Sequence, residues 1–345
     1  MRIASVAHAV PSRHVTTDMI AARLRIANQS HLSPQDLDRL ESRLRRYLER
    51  AGSDGKFWVD DGERAVDLLR GAGQAALNSA GLSAIDIDLI VYVGVGRPWL
   101  EPAMANLVQA ELGAARATGF DVLDGCLGWL RGVQLVRSMF ASAGYRRALV
   151  VSCECGLDVF GRWQFETVEA IEPYLATFTI GEAATATVLT DEAPADDFYF
   201  RFANYGEQTH LCMIPLPHAD QYASRDMLAA LATGKFYARS EELLRFSIER
   251  IVEIFEGDAR LHSQQYDLLV GHAASERASQ LARERLGLPE RIYFPTHAAY
   301  GNTVASSLPL GLSLAIQQGR LRRGDKVIIV GGASGISVGV ASFTF

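Results

Sequence analysis

The stretch Asp121-Val-Leu-Asp-Gly-Cys126-Leu-Gly-Trp-Leu130 carries the sharpest structural signal in this sequence of 345 residues. It predicts an apolar strand, a tight turn and then an amphipathic helix, because apolar residues recur at helical spacing from Leu127 to Phe140. Cys126 would lie at the start of that helix, where the helix dipole favours a thiolate. We therefore expect Cys126 to be a nucleophile; a buried, unreactive cysteine is the alternative.

The segments on either side of this stretch alternate between strand-like and helix-like patterns, which is typical of an α/β protein with buried sheets. A helix is predicted from Ala65 to Ala80, with Gly81 as its stop. Runs of β-branched and apolar residues bounded by Gly, Asp or Lys predict central strands. These runs are Asp88–Gly94, Ala148–Ser152, Asp267–Gly271 and Lys326–Val330.

Comparison of the chain with itself suggests an internal duplication. Helix, basic turn and strand follow one another from Gly132 to Ser152, and the same order recurs from Gly311 to Val330. We predict an N-terminal half at 1–191 and a C-terminal half at 198–345, joined by a short acidic linker. The alternative is that α/β units share this order without being duplicated.

Composition and charge exclude several classes of protein. The net charge is −6 and no basic block stands out, which argues against nucleic-acid binding. No apolar run approaches the roughly 20 residues that cross a bilayer, and the N-terminus shows no signal peptide. Four cysteines are too few for a disulfide framework in a chain of this length, so we expect a cytoplasmic protein.

A nucleophilic cysteine needs a group to manage its proton and donors for an oxyanion. His272 follows the predicted strand Asp267–Gly271, and Asn302 precedes an apolar helix as Cys126 does in the first half. The predicted symmetry would bring both side chains to Cys126 at the junction of the halves. His297 is the rival histidine, for which a surface or core position is the better interpretation.

With these residues in place, the sequence resembles the ketoacyl-ACP synthase III branch of the thiolase superfamily over nearly its whole length. The matching motifs are Asp121–Leu130 around the cysteine, His272 after an apolar strand, Gly301-Asn302-Thr303, an altered glycine-rich segment at Gly181–Ala186 and Gly331–Gly335. The resemblance implies a duplicated, five-layered αβαβα thiolase fold and a homodimer. It also implies that Cys126, His272 and Asn302 are catalytic.

Two further features refine this resemblance. The family usually has His-Gln-Ala-Asn where this chain has His272-Ala-Ala-Ser275, which argues against ordinary fatty-acid initiation. The segment Leu100-Glu101-Pro-Ala103 is similar to that of enzymes that join two acyl chains head to head, namely olefin-biosynthesis condensing thiolases and α-pyrone-forming ketosynthases. In those enzymes the glutamate reaches the partner subunit's active site. Glu101 is thus a candidate general base, with helix capping as the alternative.

The resemblance implies a Claisen condensation. Cys126 would carry one acyl chain, with its oxyanion held by the backbone N–H of Cys126 and by the Ser334-Gly335 turn. His272 and Asn302 would hold the carbonyl of a second acyl or β-ketoacyl thioester. Acyl-CoA or acyl carrier protein thioesters would be the substrates, and no cofactor or metal is expected.

Other functions stay open at this point. The same fold could pass an acyl group to oxygen or nitrogen, or could use a malonyl donor as a 3-oxoacyl-ACP synthase. Gly331–Gly335 is a weak match to a nucleotide-binding loop, because no helix follows it. Cys153 and Cys155 lack further metal ligands at a suitable spacing. A non-catalytic subunit is disfavoured because Cys126, His272 and Asn302 are all present.

Overall fold

Two β-sheets form the framework of the protein. The structure is a computed structural model and describes residues 1–192, 197–224, 228 and 231–345. The first sheet has the order β1-β7-β6-β4-β5. Its strands are β1 (Arg2–Ala9), β4 (Leu89–Tyr92), β5 (Thr118–Asp121), β6 (Arg147–Glu154) and β7 (Ala183–Thr190).

The second sheet belongs to the C-terminal part of the chain and has the order β11-β12-β13-β8. Its strands are β8 (Tyr199–Asn204), β11 (Leu268–Gly271), β12 (Lys326–Ala333) and β13 (Ser337–Thr344). Two short ladders complete the strands: β2 (Arg13–Thr16) pairs with β3 (Gly55–Trp58), and β9 (Cys212–Met213) pairs with β10 (Tyr237–Ala238).

Helices cover both sheets and also separate them. The helices are α1 (Thr17–Asn28), α2 (Pro34–Ala51), α3 (Ala65–Ala80), α4 (Met104–Leu112), α5 (Gly128–Ala143), α6 (Ser240–Glu256), α7 (Ala259–His262), α8 (Glu276–Arg285), α9 (His297–Tyr300) and α10 (Ser307–Gln317). Helices α5 and α10 share one apolar core with the inner faces of both sheets. Helices α3 and α4 pack on the outer face of the first sheet, and α6 and α8 on that of the second. The result is five layers, as predicted.

The strand pairing shows the predicted duplication of the architecture. β4 is parallel to β6, and β6 is antiparallel to β7. In the same way β11 is parallel to β12, and β12 is antiparallel to β13. The dividing points at 191 and 198 stay a prediction, and residues 193–196 of the predicted linker lie outside the described residues.

The register of the two halves corrects one expectation. A 3₁₀ turn at Gly125–Leu127 leads into α5, and a 3₁₀ turn at Val304–Ser306 leads into α10. The first residue of each turn has a positive φ, 50° at Gly125 and 49° at Val304. The counterpart of Cys126 is therefore Ala305, and the prediction that Asn302 occupies that position was wrong by three residues. In addition, the apolar segment Ile292–Pro295 before Asn302 forms no full strand and makes only a single bridge, between Tyr293 and Leu269.

The two halves are in close backbone contact at Gly301. Its φ is +68°, and a Cβ added there would lie 2.5 Å from the carbonyl oxygen of Thr179. Beside it, the N–H of Gly181 donates to the carbonyl of Asn302 at 3.0 Å. Only a residue without a side chain fits at Gly301, because both the backbone conformation and the available space demand it.

We predict that Gly301→Ala lowers the free energy of unfolding by more than Gly319→Ala does. Gly319 has the same φ of +68° but no atom within 4 Å of an added Cβ. The control measures the cost of a positive φ, about 1–2 kcal/mol, while the ψ of −162° at Gly301 lies in a region that is essentially restricted to glycine. The clash should add about 1–3 kcal/mol. Equal denaturation midpoints for the two variants would contradict the close approach.

Candidate active site

The nucleophile turn is held by side chains from both halves. Cys126 lies in the 3₁₀ turn directly before α5, as the sequence predicts. Asp124, at the start of this turn, accepts from Nε of Arg131 at 2.9 Å and from the Ser337 hydroxyl at 3.0 Å. Because Ser337 belongs to β13, the second half fixes the position of the cysteine in the first.

The helix dipole was expected to stabilise a Cys126 thiolate, but burial has the larger effect on the pKa of this thiol. Burial raises the pKa of the Cys126 thiol well above its usual value, and Cys212 and Glu154 add to this effect. The residue is half-buried, but its thiol faces a recessed cavity in which a thiolate is poorly hydrated. The resting cysteine is therefore a neutral thiol, and a role as nucleophile would require a proton acceptor.

His272 directly follows β11, as predicted, and is buried. Its backbone N–H donates to the carbonyl of Val330 at 2.9 Å, which ties it to β12. Burial, with a contribution from His297, lowers the pKa of His272 to about 4. Within the described residues no side chain bonds its buried Nδ1. The imidazole is thus neutral at physiological pH and can accept or donate through its other nitrogen.

His297, the rival histidine, has a supporting position. It is buried, does not line the cavity described below, and donates from Nδ1 to the carbonyl of Ala273 at 2.8 Å. This bond holds the backbone immediately after His272. The geometry therefore favours His272 over His297 for contact with a substrate.

Asn302 presents a hydrogen-bond donor to the cavity. Its Oδ1 accepts from the backbone N–H of Val304 at 2.9 Å. Because that partner can only donate, the amide orientation is fixed and Nδ2 is left as the free donor group of the side chain. The backbone of Asn302 is held in turn by Thr179, whose carbonyl accepts from its N–H at 2.8 Å.

The residues predicted for the oxyanion site occupy different places. A Cβ added at Gly125 would lie 3.0 Å from Oγ of Ser334, so this turn adjoins the nucleophile. Ser334 lines the cavity, whereas Gly335 lies outside its lining and its carbonyl accepts from Thr209 at 2.7 Å. The oxyanion role of both stays a prediction.

One cavity of about 830 Å³ brings Cys126, His272 and Asn302 together. Apolar side chains from α6 and from the 157–180 region form much of its wall, including Leu157, Phe160, Leu175, Leu243, Leu244, Ile248 and Ile251. Exposed charged residues mark its opening, where Arg277 pairs with Glu241 at 3.1 Å. This combination of an apolar interior and a few converging polar groups suits an amphiphilic ligand with a reactive carbonyl.

Glu101 does not line the cavity of its own chain. It is exposed, in a loop that is anchored at both ends. Arg97 pairs with Asp121 at 3.3 Å, and Asp121 also accepts from the backbone N–H of Met104 at the start of α4. The side chains next to Glu101 are also exposed: Leu100 is 76% exposed and Trp99 is 40% exposed.

Sequence reasoning missed Glu154, the acid at the end of β6. It is fully buried and accepts from the backbone N–H groups of Val95, Gly96 and Ala305. Burial raises its pKa to about 7. The only signal in the sequence is an acidic residue in an otherwise apolar strand, which does not reveal its partners.

Two alternative sites receive no support from the geometry. Gly331, Gly332 and Ala333 belong to β12, which turns directly into β13, so no helix follows to bind a phosphate. In the part of the chain that the structure describes, no group of three His, Cys, Asp or Glu side chains is arranged to hold a metal ion. Among the same residues, no helix is long and apolar enough to cross a membrane.

Known proteins share this architecture. Residues 257–345 match the family model for the C-terminal part of 3-oxoacyl-[acyl-carrier-protein] synthase III. The β-ketoacyl-[acyl-carrier-protein] synthase III of Clostridium perfringens is 30% identical over 315 residues, which cover 87% of this chain and 92% of that protein. The 3-oxoacyl-[acyl-carrier-protein] synthase III of Aquifex aeolicus superposes with a TM-score of 0.80 at 21% identity, covering 100% and 99% of the two chains.

A variant of OleA from Xanthomonas campestris, solved with bound lauric acid and lauroyl-CoA, superposes with a TM-score of 0.81 at 22% identity, covering 99% of this chain and 98% of that one. These folds and the sequence match define a condensing enzyme of the thiolase superfamily. The chain belongs to the β-ketoacyl-[acyl-carrier-protein] synthase III family. It is an acyltransferase that forms carbon–carbon bonds by Claisen condensation.

We predict a pH-dependent stability difference between the wild type and His297→Asn. Burial, with a contribution from Lys56, lowers the pKa of His297 to about 4, so the unfolded chain takes up this proton first as pH falls below about 6.5. The wild type should therefore lose about 1 kcal/mol of stability per pH unit relative to the variant between pH 6 and pH 4.5. Asparagine keeps a donor for the Ala273 carbonyl.

Denaturant titrations at several pH values measure this difference. The stability difference should be constant above pH 7, where His297 is neutral in both the folded and the unfolded chain. A difference that does not change between pH 7 and pH 4.5 would contradict a buried, neutral His297.

Proposed function

We propose that this enzyme joins two acyl chains by a non-decarboxylative Claisen condensation, and that its substrates are acyl-CoA or acyl carrier protein thioesters. The observation that carries the proposal is the single cavity that Cys126, His272 and Asn302 share, with an apolar wall large enough for alkyl chains. Glu101, on its anchored loop, supplies the base that such a reaction needs. The relatives' names refer to acyl carrier protein, and OleA was solved with lauroyl-CoA.

In the first half-reaction the thiol of Cys126 attacks the carbonyl carbon of an acyl thioester. Neutral His272 accepts the thiol proton and returns it to the departing thiolate of the carrier. The Cys126 N–H and the Ser334-Gly335 turn stabilise the oxyanion. The products are an acyl-cysteine and a free carrier thiol.

In the second half-reaction a second thioester binds with its carbonyl oxygen on His272 and on Nδ2 of Asn302. These donors stabilise an enolate, which forms when Glu101 removes the α-proton. The enolate carbon attacks the acyl-cysteine, and the Cys126 thiolate leaves. The β-keto thioester departs, Cys126 regains a proton, and Glu101 releases its proton to solvent. A β-ketoacyl thioester as second substrate would give a product able to cyclise to an α-pyrone.

We also propose that the enzyme is a homodimer in which Glu101 serves the partner's cavity. β5 is an edge strand with no neighbour beyond β4 among the described residues, and Thr118 and Gly119 on it are exposed. Leu123, just after β5, is 67% exposed, and Leu100, beside Glu101, is 76% exposed. An unpaired edge flanked by exposed apolar side chains favours pairing with a second copy.

We predict that a long-chain acyl-CoA adds one acyl group to the wild type and none to Cys126→Ala, as measured by intact mass. Cys212→Ala is the matched control, because Cys212 is a buried thiol that lines the same cavity. It should acylate like the wild type. An adduct on Cys126→Ala, or its loss in Cys212→Ala alone, would contradict the assignment of the nucleophile.

We predict that Glu101→Gln acylates normally but condenses two non-malonyl thioesters about 100-fold or more slowly, which is the size of a lost general base. Product analysis by mass spectrometry measures the β-keto compound. A wild type that condenses only with malonyl thioesters, or that transfers its acyl group to a hydroxyl or amine, would overturn the proposed reaction.

Mixing Cys126→Ala with Glu101→Gln tests the exchange between subunits. If Glu101 acts in the partner's cavity, each mixed dimer has one complete site, and random assortment restores about a quarter of the wild-type sites. If Glu101 acts in its own chain, the mixture stays as inactive as its components.

A further inference from the structure

Glu154 links one loop of the first half to one turn of the second. Its Oε1 accepts from the N–H of Val95 at 3.0 Å and from that of Ala305 at 3.2 Å. Its Oε2 accepts from the N–H of Gly96 at 2.7 Å. All of these bonds are buried or partly buried, and within the described residues no Lys or Arg forms an ion pair with this carboxylate.

The Ala305 N–H is the internal counterpart of the Cys126 N–H. Each N–H belongs to the second residue of a 3₁₀ turn. The first residue of each turn has a positive φ, and each turn directly precedes a central helix. At Cys126 this N–H is the predicted donor to a substrate oxyanion. At Ala305 the same position is filled permanently by a carboxylate oxygen of the protein. The second copy of this anion site thus binds the protein's own carboxylate. We call the hydrogen bonds of Glu154 to Val95, Gly96 and Ala305 the clamp.

The clamp acts on a strained segment. Val304 has a φ of 49°, which is costly for a β-branched residue and persists only where its surroundings enforce it. The N–H groups on both sides of the Val304 α-carbon are engaged, that of Val304 by Oδ1 of Asn302 and that of Ala305 by Glu154. The orientation of the Asn302 amide therefore depends on a turn that Glu154 helps to hold.

The other end of the clamp leads to Glu101. Gly96 fits against the end of β6, because an added Cβ would contact the carbonyl of Cys153. Arg97 follows and pairs with Asp121, and the loop then runs through Glu101 to α4. Val95, whose N–H donates to Glu154, also lines the cavity. Two of the residues assigned to the second half-reaction, Asn302 and Glu101, thus lie on segments that one carboxylate joins.

We propose that Glu154 is a positioning residue for the condensation step: its carboxylate holds the Asn302 turn and the loop of Glu101 in register with each other. This inference rests on the proposed function for the roles of these two residues. Glu154 contacts no substrate in this account. The acylation of Cys126 uses neither segment as a donor or base, so it should not depend on the clamp.

Glu154→Gln is the sharpest variant because it keeps the shape of the side chain. A carboxamide has one acceptor oxygen, so at least one of the three N–H groups must face the NH₂ group, donor against donor. Glu154→Asp is the second variant: it keeps the charge but is one methylene too short to reach both loops. Asp88→Asn is the matched control. Asp88 accepts from the backbone N–H groups of Arg146 and Arg147, at the opposite end of β6.

The experiment measures the two half-reactions separately in single turnover. Acylation is followed by intact mass after rapid quenching with lauroyl-CoA, and condensation by the product formed when the isolated acyl-enzyme meets a second thioester. We expect Glu154→Gln and Glu154→Asp to acylate like the wild type and to condense about 100-fold more slowly, as for reacting groups displaced by about 1 Å. Asp88→Asn should match the wild type in both steps.

Normal condensation by both Glu154 variants overturns the inference, and so does an equal loss of both steps, which would indicate a general structural role. A wild type that condenses only with a malonyl thioester refutes the proposed function. The difference between acylation and condensation in the Glu154 variants is then measured with the malonyl thioester, whose carbonyl would also bind Asn302. A wild type that condenses nothing overturns both.

Discussion

The packing of α5 and α10 between the two sheets is the constraint on which the rest of the structure depends. Both helices share one apolar core with strands from each half, and the 3₁₀ turns that precede them contact each other. Small residues permit this approach: a Cβ added at Gly132 would lie 2.7 Å from a methyl group of Val93, and one at Gly311 would lie 2.7 Å from a methyl group of Val270. Once the helices are held in this way, the nucleophile turn and the Asn302 turn must meet.

The electrostatics of the junction follow from its burial. Desolvation raises the pKa of Cys126, lowers that of His272 to about 4 and raises that of Glu154 to about 7. The thiol and the imidazole are therefore neutral at rest. In the proposed reaction, charge develops only after an acyl thioester binds, and the Cys126 N–H is the expected donor that stabilises it. Such an interior contains no permanent thiolate that would need hydration. Its hydrogen-bond donors are already in position before the reaction begins.

The family resemblance implied the five-layered fold. The sequence pattern alone predicted the α/β class, the central strands and the position of Cys126 before α5. These features follow from hydrophobic periodicity and glycine placement, which are local properties. It also predicted that His272 directly follows a buried strand, and this residue lines the cavity; its catalytic role stays a prediction. The raised pKa of Cys126 was not predictable, because it depends on long-range burial that outweighs the local helix dipole. Nor was the correct register of Asn302, which depends on φ at Val304.

Glu154 shows the same limit most clearly. Its role depends on N–H groups that are 58, 59 and 151 residues away in the chain, and nothing in its neighbours in sequence indicates them. Glu101 is the reverse case: its motif is recognisable, but the single chain leaves it exposed and outside the cavity. The contacts of Glu154 can be recognised only in the folded chain, and the proposed role of Glu101 requires a second copy of the chain.

The central claim is that Cys126, His272 and Asn302 form one active site for acyl thioesters at the junction of the two halves. A crystal structure of the Cys126→Ala variant with bound lauroyl-CoA tests it most directly. The account predicts the thioester carbonyl oxygen within about 2.7–3.2 Å of His272 and of Nδ2 of Asn302, or in the oxyanion site at the N–H of residue 126. A thioester carbonyl that lies in neither place, with the acyl chain outside the cavity, would contradict it.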